Sequence, residues 1–196
     1  IFFQHSINNK MKSDIIPAIR LTIVCLIFFA GIYTIVILGF AQLAPNKGKG
    51  QIITQNGKTY YANVGQSFTN DKYFYSRPSA VAYNAAGSGG SNKGPTNPDY
   101  LKDIQSRIDT FLVHNPDIKK SDIPADIVTA SGSGLDPDIS VEAAKVQVKR
   151  IAKIRNIQED DLQKLIDQQT EKPLAGLLGT KKVNVLRLNL ALDNIK

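Results

Sequence analysis

Cysteine, histidine, methionine and tryptophan are scarce in this chain of 196 residues, which holds one cysteine, two histidines, one methionine and no tryptophan. A single cysteine excludes an internal disulfide, so the folded part of the chain must be stable without covalent cross-links. Two histidines, His5 and His114, exclude a histidine-rich metal centre. A catalytic nucleophile would need His114 as its base, and Cys25 lies inside an apolar run. We therefore predict neither a catalytic centre nor a metal site.

Charged residues are absent from Leu21–Ala41, a run of 21 mostly apolar residues. A helix of that length spans about 30 Å, the thickness of the hydrocarbon core of a bilayer. A signal peptide would have a shorter apolar region followed by a small-residue cleavage site. A lipoprotein anchor would place its cysteine after the run, whereas Cys25 lies within it. The run therefore predicts a retained transmembrane helix, with outer bounds at residues 15–43.

The predicted helix divides the chain into four parts. Residues 1–14 are an N-terminal tail, and residues 1–10, which precede Met11, are interpreted as an upstream extension that is not native. Residues 44–50 are a linker and residues 51–196 are one soluble domain. The formal net charge of +7 is mild and argues against a nucleic-acid partner. Lysine and arginine are equally frequent on the two flanks of the helix, so charge alone does not orient it.

The soluble domain has the sequence patterns of a mixed α+β fold. An Asn56-Gly57 turn between β-branched and aromatic residues predicts a hairpin over Gln51–Val64. Asn97-Pro98 is a typical helix start, and apolar residues follow at helical spacing as far as Asn115. The remaining predicted elements are a short buried strand within Ile123–Ala130, a helix capped by Ser140, a helix opened by the capping box Asn156–Glu159, and a closing strand over Val183–Asp193.

A loop rich in glycine, serine and asparagine, Tyr83–Asn97, places Lys93 after several glycines. A phosphate-binding P-loop requires G-x-x-x-x-G-K-[ST] leading directly into a helix. Here Gly94 follows the lysine and Pro95 breaks the chain, so the pattern is not met. A flexible loop is the favoured interpretation, although its backbone N–H groups could still meet an anion or a partner.

Two further surface features have alternative interpretations. Gly31 and Gly39 lie about two turns apart in the predicted transmembrane helix, where they either let another helix approach or simply reflect how common glycine is in such helices. A stripe of lysines four residues apart is either a solvated surface or a docking face for anionic lipid or an acidic partner. Its members are Lys145, Lys149 and Lys153.

Several short strings, in their order and spacing, resemble one protein family. They are Phe74–Ser79 (FYSRPS), Gly87–Asn92 (GSGGSN), Gly94–Pro98 (GPTNP), Pro124–Asp126 (PAD), Thr129–Pro137 (TASGSGLDP), Gln147-Val148 with Arg150, Leu178-Gly179, Val183–Leu186 (VNVL) and Leu188–Asp193 (LNLALD). Together they make the chain, from Met11 onward, similar to the C subunit of the Kdp potassium-transporting P-type ATPase. That family usually has histidine where Asp138 stands, so any role of the imidazole does not carry over.

The resemblance implies an accessory, membrane-anchored subunit of a complex that imports K⁺ at high affinity, driven by ATP. The implied partners are a channel-like potassium-binding subunit, a P-type subunit that hydrolyses ATP, a very small accessory subunit and the lipid bilayer. The subunit is expected in the cell membrane as a single-pass protein with its soluble domain facing outward. It is expected to assemble and stabilise the complex, and to act as a catalytic chaperone that raises the ATP affinity of the hydrolysing subunit.

An outward-facing domain would be separated from cytoplasmic ATP by about 30 Å of hydrocarbon, so coupling would have to pass through the helix and the partner subunits. Residues of the loops and of the predicted membrane helix are nevertheless candidates for contact with a nucleotide or with the partner subunits. The candidate nucleotide-binding residues are Ser131, Gly132, Ser133, Gly134, Asp136 and Gln147. The candidate partner-binding residues are Gly31, Gly39, Arg77, Gly89, Gly90, Asn92 and Asn97. The carboxylates that could concentrate K⁺ are those of Asp99, Asp126 and Asp136.

Two functions of other classes stay open at the level of sequence. A membrane-tethered hydrolase would use a serine of Ser131–Gly134 with Asp136 and His114. The order S-G-S-G is not the G-x-S-x-G nucleophile elbow, which speaks against this reading. The other alternative is an extracellular module that senses a small ligand such as K⁺ or ATP.

Overall fold

The computed structural model describes residues 2–44, 46–55, 57–173 and 176–195, except for the side chains of residues 2–13. The chain divides into two compact units, Ile1–Gly50 and Gln51–Lys196. The first unit is helical and the second combines helices with short strands. This is the arrangement that the sequence predicts, one N-terminal apolar helix followed by a mixed α+β domain.

The first unit consists of helix α1 (Phe2–Leu26), a π-helical segment (Ile27–Tyr33) and helix α2 (Thr34–Ala41). The junction residues keep right-handed helical backbone angles, so the three pieces form one continuous helix. The Thr34 hydroxyl donates to the Phe29 carbonyl at 3.2 Å, a side-chain bond one residue longer in reach than the usual i−4 partner. The helix over Asp14–Ala41 is long and apolar enough to cross a membrane. Its most apolar stretch of 18 residues is not buried against the rest of the protein.

The second unit opens with an antiparallel hairpin, β1 (Ile52–Gln55) and β2 (Lys58–Tyr61). Ile53 faces Tyr60 across it, which confirms the predicted hairpin. Asn56 of the predicted turn lies outside the described residues, and Gly57 has φ +73°, a left-handed angle that glycine adopts without strain.

Helix α3 (Pro98–His114) starts as the sequence predicts. The Asn97 side chain accepts hydrogen bonds from the backbone of Asp99 and Tyr100 at 3.0 and 3.1 Å, and Pro98 occupies the first turn. These contacts satisfy N–H groups that a helix start leaves unpaired. The helix ends at His114, next to the predicted Asn115-Pro116 stop.

The remaining elements form an antiparallel three-stranded sheet, ordered β3–β5–β4, and four helices. They are β3 (Asp138–Ile139), α4 (Val141–Lys145), α5 (Val148–Arg155), α6 (Glu159–Gln169), β4 (Thr170–Glu171), β5 (Lys182–Asn184) and α7 (Val185–Leu192). The Ser140 side chain caps α4 by accepting from Ala143 N–H at 3.0 Å, as predicted. The single helix expected after Ser140 is interrupted at Val146-Gln147, but its apolar face is kept and buried.

The core of the second unit lies where α4, α5, α6 and α7 pack together with β3 and β5. Its fully buried large apolar side chains are Phe74, Ile139, Val148, Ile151, Leu162, Ile166, Val183, Val185, Leu188 and Leu192. The predicted lysine stripe lies opposite this core and is exposed. Each buried aliphatic side chain of this size contributes about 1.5–3 kcal/mol through the hydrophobic effect.

The predicted closing strand over Val183–Asp193 is wrong beyond its first residues. The chain forms the short strand β5 and then turns into helix α7 at Val185. Asn184 caps the helix by accepting from Arg187 N–H at 3.0 Å. The buried residues Val185, Leu188 and Leu192 follow helical spacing, which the alternation of leucines had obscured.

The predicted strand within Ile123–Ala130 is also wrong, because this stretch forms a 3₁₀ turn over Ala125–Ile127. Pro124 precedes the turn and has no N–H to give to a sheet. Thr129 bonds its hydroxyl back to the Ala125 carbonyl at 2.7 Å, which further favours a turn.

The predicted capping box Asn156–Glu159 does not form. Asn156 instead ends α5 with φ +55°, a left-handed angle that asparagine tolerates better than most residues. Helix α6 starts at Glu159 with no side-chain cap from the described residues, and three acidic residues in its first turn complement the helix dipole.

The aromatic run Asp71–Arg77 begins in a turn closed by Tyr73 N–H and the Asn70 carbonyl, and it continues without regular secondary structure or a strand partner among the described residues. Side chains take the place of a neighbouring strand. Asn189 both accepts from Phe74 N–H and donates to Phe74 C=O, each at 2.9 Å. Gln147 accepts from Tyr75 N–H at 2.7 Å. The segment is thereby fixed across α5 and α7 and leads directly into the loops described next.

Candidate functional site

Three loops of the second unit are joined by hydrogen bonds into one surface, which we call the loop cluster. It consists of Arg77–Val81, Gly87–Gly90 and Ser131–Asp136. Ser131 N–H donates to the Pro78 carbonyl at 3.1 Å, and Gly89 N–H donates to the Ser133 carbonyl at 2.8 Å. These two backbone hydrogen bonds tie the three loops together, and three of the sequence strings that resemble the Kdp subunit meet here.

Two glycines allow the loops of the cluster to approach each other. A Cβ atom on Gly90 would lie 2.9 Å from the Gly132 carbonyl oxygen. Gly134 has φ +68°, and a Cβ atom there would lie 2.5 Å from a methyl group of Val81. Real Cβ atoms do not come this close to other heavy atoms, so both positions require glycine for the observed packing. Ser79 fixes the same turn by donating to the Gly134 carbonyl at 2.7 Å.

An ion pair joins the first and third loops, with Arg77 Nη1 2.9 Å from Asp136 Oδ2. The two side chains are only 24% and 30% exposed. The other carboxylate oxygen of Asp136 accepts from Asp138 N–H at 3.0 Å. Within the described chain, the Nε atom of Arg77 is buried without a hydrogen-bond partner. The pair therefore determines how the guanidinium is held at the surface of the cluster.

Asp138, at which the sequence differs from the pattern of the family that it resembles, forms an ion pair with Lys182. Lys182 Nζ lies 2.5 Å from its Oδ2 atom, and this hydrogen bond raises the pKa of Lys182. Asp138 lines a cleft together with Asp126, Asp136 and Arg77. The Asp126 carboxylate is engaged by the backbone N–H and hydroxyl of Ser140 at 2.7 and 3.0 Å. These carboxylates are therefore already paired within the protein.

The third carboxylate proposed for K⁺, Asp99, is not among the lining residues described for this cleft. It lies in the first turn of α3, where a negative charge interacts favourably with the helix dipole. Among the described residues, no group of three or more histidine, cysteine, aspartate or glutamate side chains could hold a metal ion.

The candidate nucleotide-binding residues fall into two places. Ser131, Gly132, Ser133, Gly134 and Asp136 are in the loop cluster, whereas Gln147 is fully buried between α4 and α5. Its amide donates to the Ala143 carbonyl at 2.9 Å and accepts from Tyr75 N–H and from Arg150. Both ends of this amide are therefore occupied inside the core.

The candidate partner-binding residues are also divided. Arg77, Gly89 and Gly90 belong to the loop cluster, and Asn97 is the cap of α3. Asn92 is exposed and adopts φ +53°. In the first unit, a Cβ atom on Gly31 or Gly39 would meet no atom of the described residues within 4 Å, so both glycines face open space.

A buried charge network beside the cluster was not predicted from the sequence. Arg150 stacks over the Tyr75 ring at 4.1 Å and donates to the Asp71 and Tyr73 carbonyls and to the Asn115 side chain. It is 6% exposed although it lies in a stretch rich in exposed lysines. Its position one residue after Lys149, on the apolar side of α5, is the signal that could have separated it from the stripe.

His114 and Tyr75 extend this network to Asp71. His114 Nδ1 lies 2.9 Å from Asp71 Oδ1, and the Tyr75 hydroxyl also donates to that carboxylate. The hydrogen bond from Tyr75 lowers the pKa of Asp71, helped by His114. Burial and the same carboxylate raise the pKa of Tyr75 to about 12. His114 is thus paired with an aspartate and an aromatic ring rather than with a serine nucleophile among the described residues.

Comparisons with known proteins decide the family. The profile of the KdpC family, described as the K⁺-transporting ATPase c chain, matches residues 15–194. The chain belongs to the KdpC family. It is 54% identical over 184 residues to the potassium-transporting ATPase KdpC subunit of Flavobacterium psychrophilum, with 93% of this chain and 99% of that protein covered. The same subunit of Bacteroides fragilis is 50% identical over 186 residues, covering 93% and 97%.

Membership of the KdpC family identifies the chain as an accessory subunit of the Kdp potassium-transporting ATPase complex. It confirms the resemblance read from the short strings, and it places the apolar helix in a membrane subunit. The hydrolase and ligand-sensor alternatives are not favoured by it.

Proposed function

We propose that this KdpC subunit assembles its complex by binding the potassium-binding, ATP-hydrolysing and small accessory subunits at two separate surfaces. One surface is the apolar helix around Gly31 and Gly39, and the other is the loop cluster with Arg77, Gly89, Gly90, Asn92 and Asn97. The observation that carries the proposal is that the loop cluster is already held together by its own backbone bonds. A preformed surface loses little conformational entropy when a partner binds.

The membrane helix supports this proposal because its apolar side chains are exposed along its length, and its two glycines face open space. Small residues let a second helix approach closely within the bilayer. We expect Gly31→Leu with Gly39→Leu to lower the recovery of the partner subunits with the tagged chain, while Ile35→Leu leaves it unchanged. Equal recovery with all three chains would show that the helix is only a tether.

We place the second unit on the outer side of the membrane, in line with what the family resemblance implies. The chain offers a clean test, because Cys25 is its only cysteine and lies in the membrane helix. A cysteine introduced at the 77% exposed position Val113 should react with a membrane-impermeant maleimide in intact cells. Labelling only after the cells are opened would reverse the proposed orientation.

The effect that this subunit has on ATP affinity is proposed to act through the whole complex. We propose that this subunit raises the ATP affinity of the hydrolysing subunit by favouring one state of the assembly, since an effector can act only through a difference in binding between two states. The paired groups of the loop cluster and the occupied amide of Gln147 support indirect action. Photolabelling of the intact complex with an azido-ATP should mark the hydrolysing subunit, and comparable labelling of this chain would contradict indirect action.

A further inference from the structure

A cavity of about 330 Å³ lies between α3 and residues 67–83, which follow the hairpin. Its volume is at the lower end of the range for small-molecule sites, about 300–1,000 Å³. Phe68, Tyr75, Tyr83 and Phe111 contribute aromatic rings to its wall. Such a wall favours a ligand with a flat apolar body, because aromatic rings bury large areas and pack in offset or edge-to-face geometry.

The electrostatics of this cavity favour a negative charge. Among its described lining residues there is no carboxylate, whereas the guanidinium of Arg107 of α3 belongs to the lining. Arg107 donates from Nη1 to the Val128 carbonyl at 3.2 Å and forms no ion pair in the described part of the chain. The aspartate one helical turn before it, Asp103, pairs with Lys93 at 2.8 Å. The charge of Arg107 also contributes to the lowered pKa of Asp103, which is outside the described lining of the cavity. The remaining N–H groups of the guanidinium can meet an anion.

Asp71 contacts two lining residues of the cavity, His114 and Tyr75. Its carboxylate accepts hydrogen bonds from His114 Nδ1 at 2.9 Å and from the Tyr75 hydroxyl. It is also outside the described lining of the cavity. An anion beside Arg107 would thus face a cationic donor without an uncompensated carboxylate in the wall.

We propose that this cavity binds a small organic anion with a flat apolar body, its acidic group on Arg107 and its body against the aromatic wall. The site is separate from the proposed helix surface and touches the loop cluster through its wall. Ser79 and Tyr83 line the cavity and donate to the carbonyls of Gly134 and Arg77 at 2.7 and 2.5 Å. A bound anion would therefore stiffen the surface offered to partner subunits.

The test uses the full chain in lipid nanodiscs and the probe 4-(trifluoromethyl)benzoate, followed by its ¹⁹F NMR line width. Binding is expected at millimolar concentration or tighter, above that of empty nanodiscs. Arg107→Gln should weaken it at least about tenfold, because it removes the charge-assisted hydrogen bonds to the acidic group. Arg107→Lys should retain most of the affinity. The matched control is Lys102→Gln, an exposed cation on the same helix outside the described lining.

A second pair of measurements separates the apolar wall from the charge. Ser106→Phe is expected to fill the cavity and abolish binding of the anion, with the circular dichroism spectrum and melting temperature unchanged. The neutral isostere 4-(trifluoromethyl)benzyl alcohol should bind at least tenfold more weakly than the anion to the unmodified chain. Absence of anion binding, or binding that Arg107→Gln and Ser106→Phe leave unchanged, overturns the proposal.

Discussion

At the scale of single residues, the loop cluster depends on positions where a side chain has no room. Gly134 combines φ +68° with close neighbours, whereas a Cβ atom on Gly132, in the same loop, would meet no atom of the described chain within 4 Å. These two glycines are two residues apart and differ in what surrounds them. They therefore form a matched pair for testing whether the cluster is as tightly packed as its hydrogen bonds indicate.

Gly134→Ala should lower the free energy of unfolding by about 2–4 kcal/mol, because it adds left-handed strain to overpacking against Val81. Gly132→Ala should change it by less than about 0.5 kcal/mol. Chemical denaturation of the full chain in detergent, followed by circular dichroism, measures both. Similar effects of the two substitutions would mean that the loops do not pack as described.

The raised pKa of Tyr75 makes the stability of the folded chain depend on pH. Because the pKa of Tyr75 is about 12 in the folded chain, the folded state binds more protons than the unfolded state between the ordinary tyrosine pKa, about 10, and that value. The associated stability is complete below about pH 10 and is lost as the pH rises through about 12. The sign follows from burial and from Asp71, which both disfavour the phenolate.

Tyrosinate absorbance of the unmodified chain minus that of Tyr75→Phe should therefore titrate near pH 12. Tyr73 and Tyr83 also have raised pKa values, and the subtraction removes their contribution. A difference curve with its midpoint near pH 10 would contradict the burial of this phenol and its hydrogen bond to Asp71.

At the scale of elements, short sequence patterns predicted the helices and strands whose formation depends on contacts between neighbouring residues. The hairpin and α3 were predicted from a turn dipeptide and from Asn97-Pro98, and both form where expected. Helix α7 was missed because its leucines alternate as in a strand, while the cap on Asn184 and the buried spacing of Val185, Leu188 and Leu192 become evident only in the packed domain.

The conformation of the Asp71–Arg77 segment could not have been predicted from local pattern. Its backbone is satisfied by Asn189 and Gln147, which are 115 and 72 residues away from their partners in the chain. The sequence strings identified which residues form the loops of the loop cluster. Only the folded chain brings Arg77 to Asp136, 59 residues further on. Long-range side-chain contacts of this kind carry no periodicity that a single sequence reveals.

Asn189→Ala tests this bridging of elements. It would leave both the N–H and the C=O of Phe74 buried without their partner, and each such group costs about 1–3 kcal/mol. We expect a loss of about 2–4 kcal/mol in the free energy of unfolding. Asn194→Ala, at an exposed position just after the same helix, should shift it by less than about 0.5 kcal/mol. Equal losses would mean that Asn189 does not hold the segment.

At the scale of the whole molecule, the chain joins an exposed apolar helix to a domain in which ion pairs tie separate segments together, such as Arg77 with Asp136 and Arg155 with Asp193. An exposed apolar helix suits a subunit that contacts other helices within the membrane. Membership of the KdpC family places it in the potassium-transporting ATPase, and assembly and a raised ATP affinity are the two roles that we propose for it. A complex lacking this subunit distinguishes them, because loss of assembly and loss of nucleotide affinity have different readouts.

The most direct measurement is the recovery of the potassium-binding subunit with a tagged hydrolysing subunit, in membranes that lack this chain and after its return by co-expression. We predict low recovery without the chain, full recovery with the whole chain, and low recovery with residues 51–196 alone. K⁺-stimulated ATP hydrolysis should follow recovery in all three samples. Full recovery without the chain, with only a raised apparent KM for ATP, would contradict the proposal that this subunit assembles the complex.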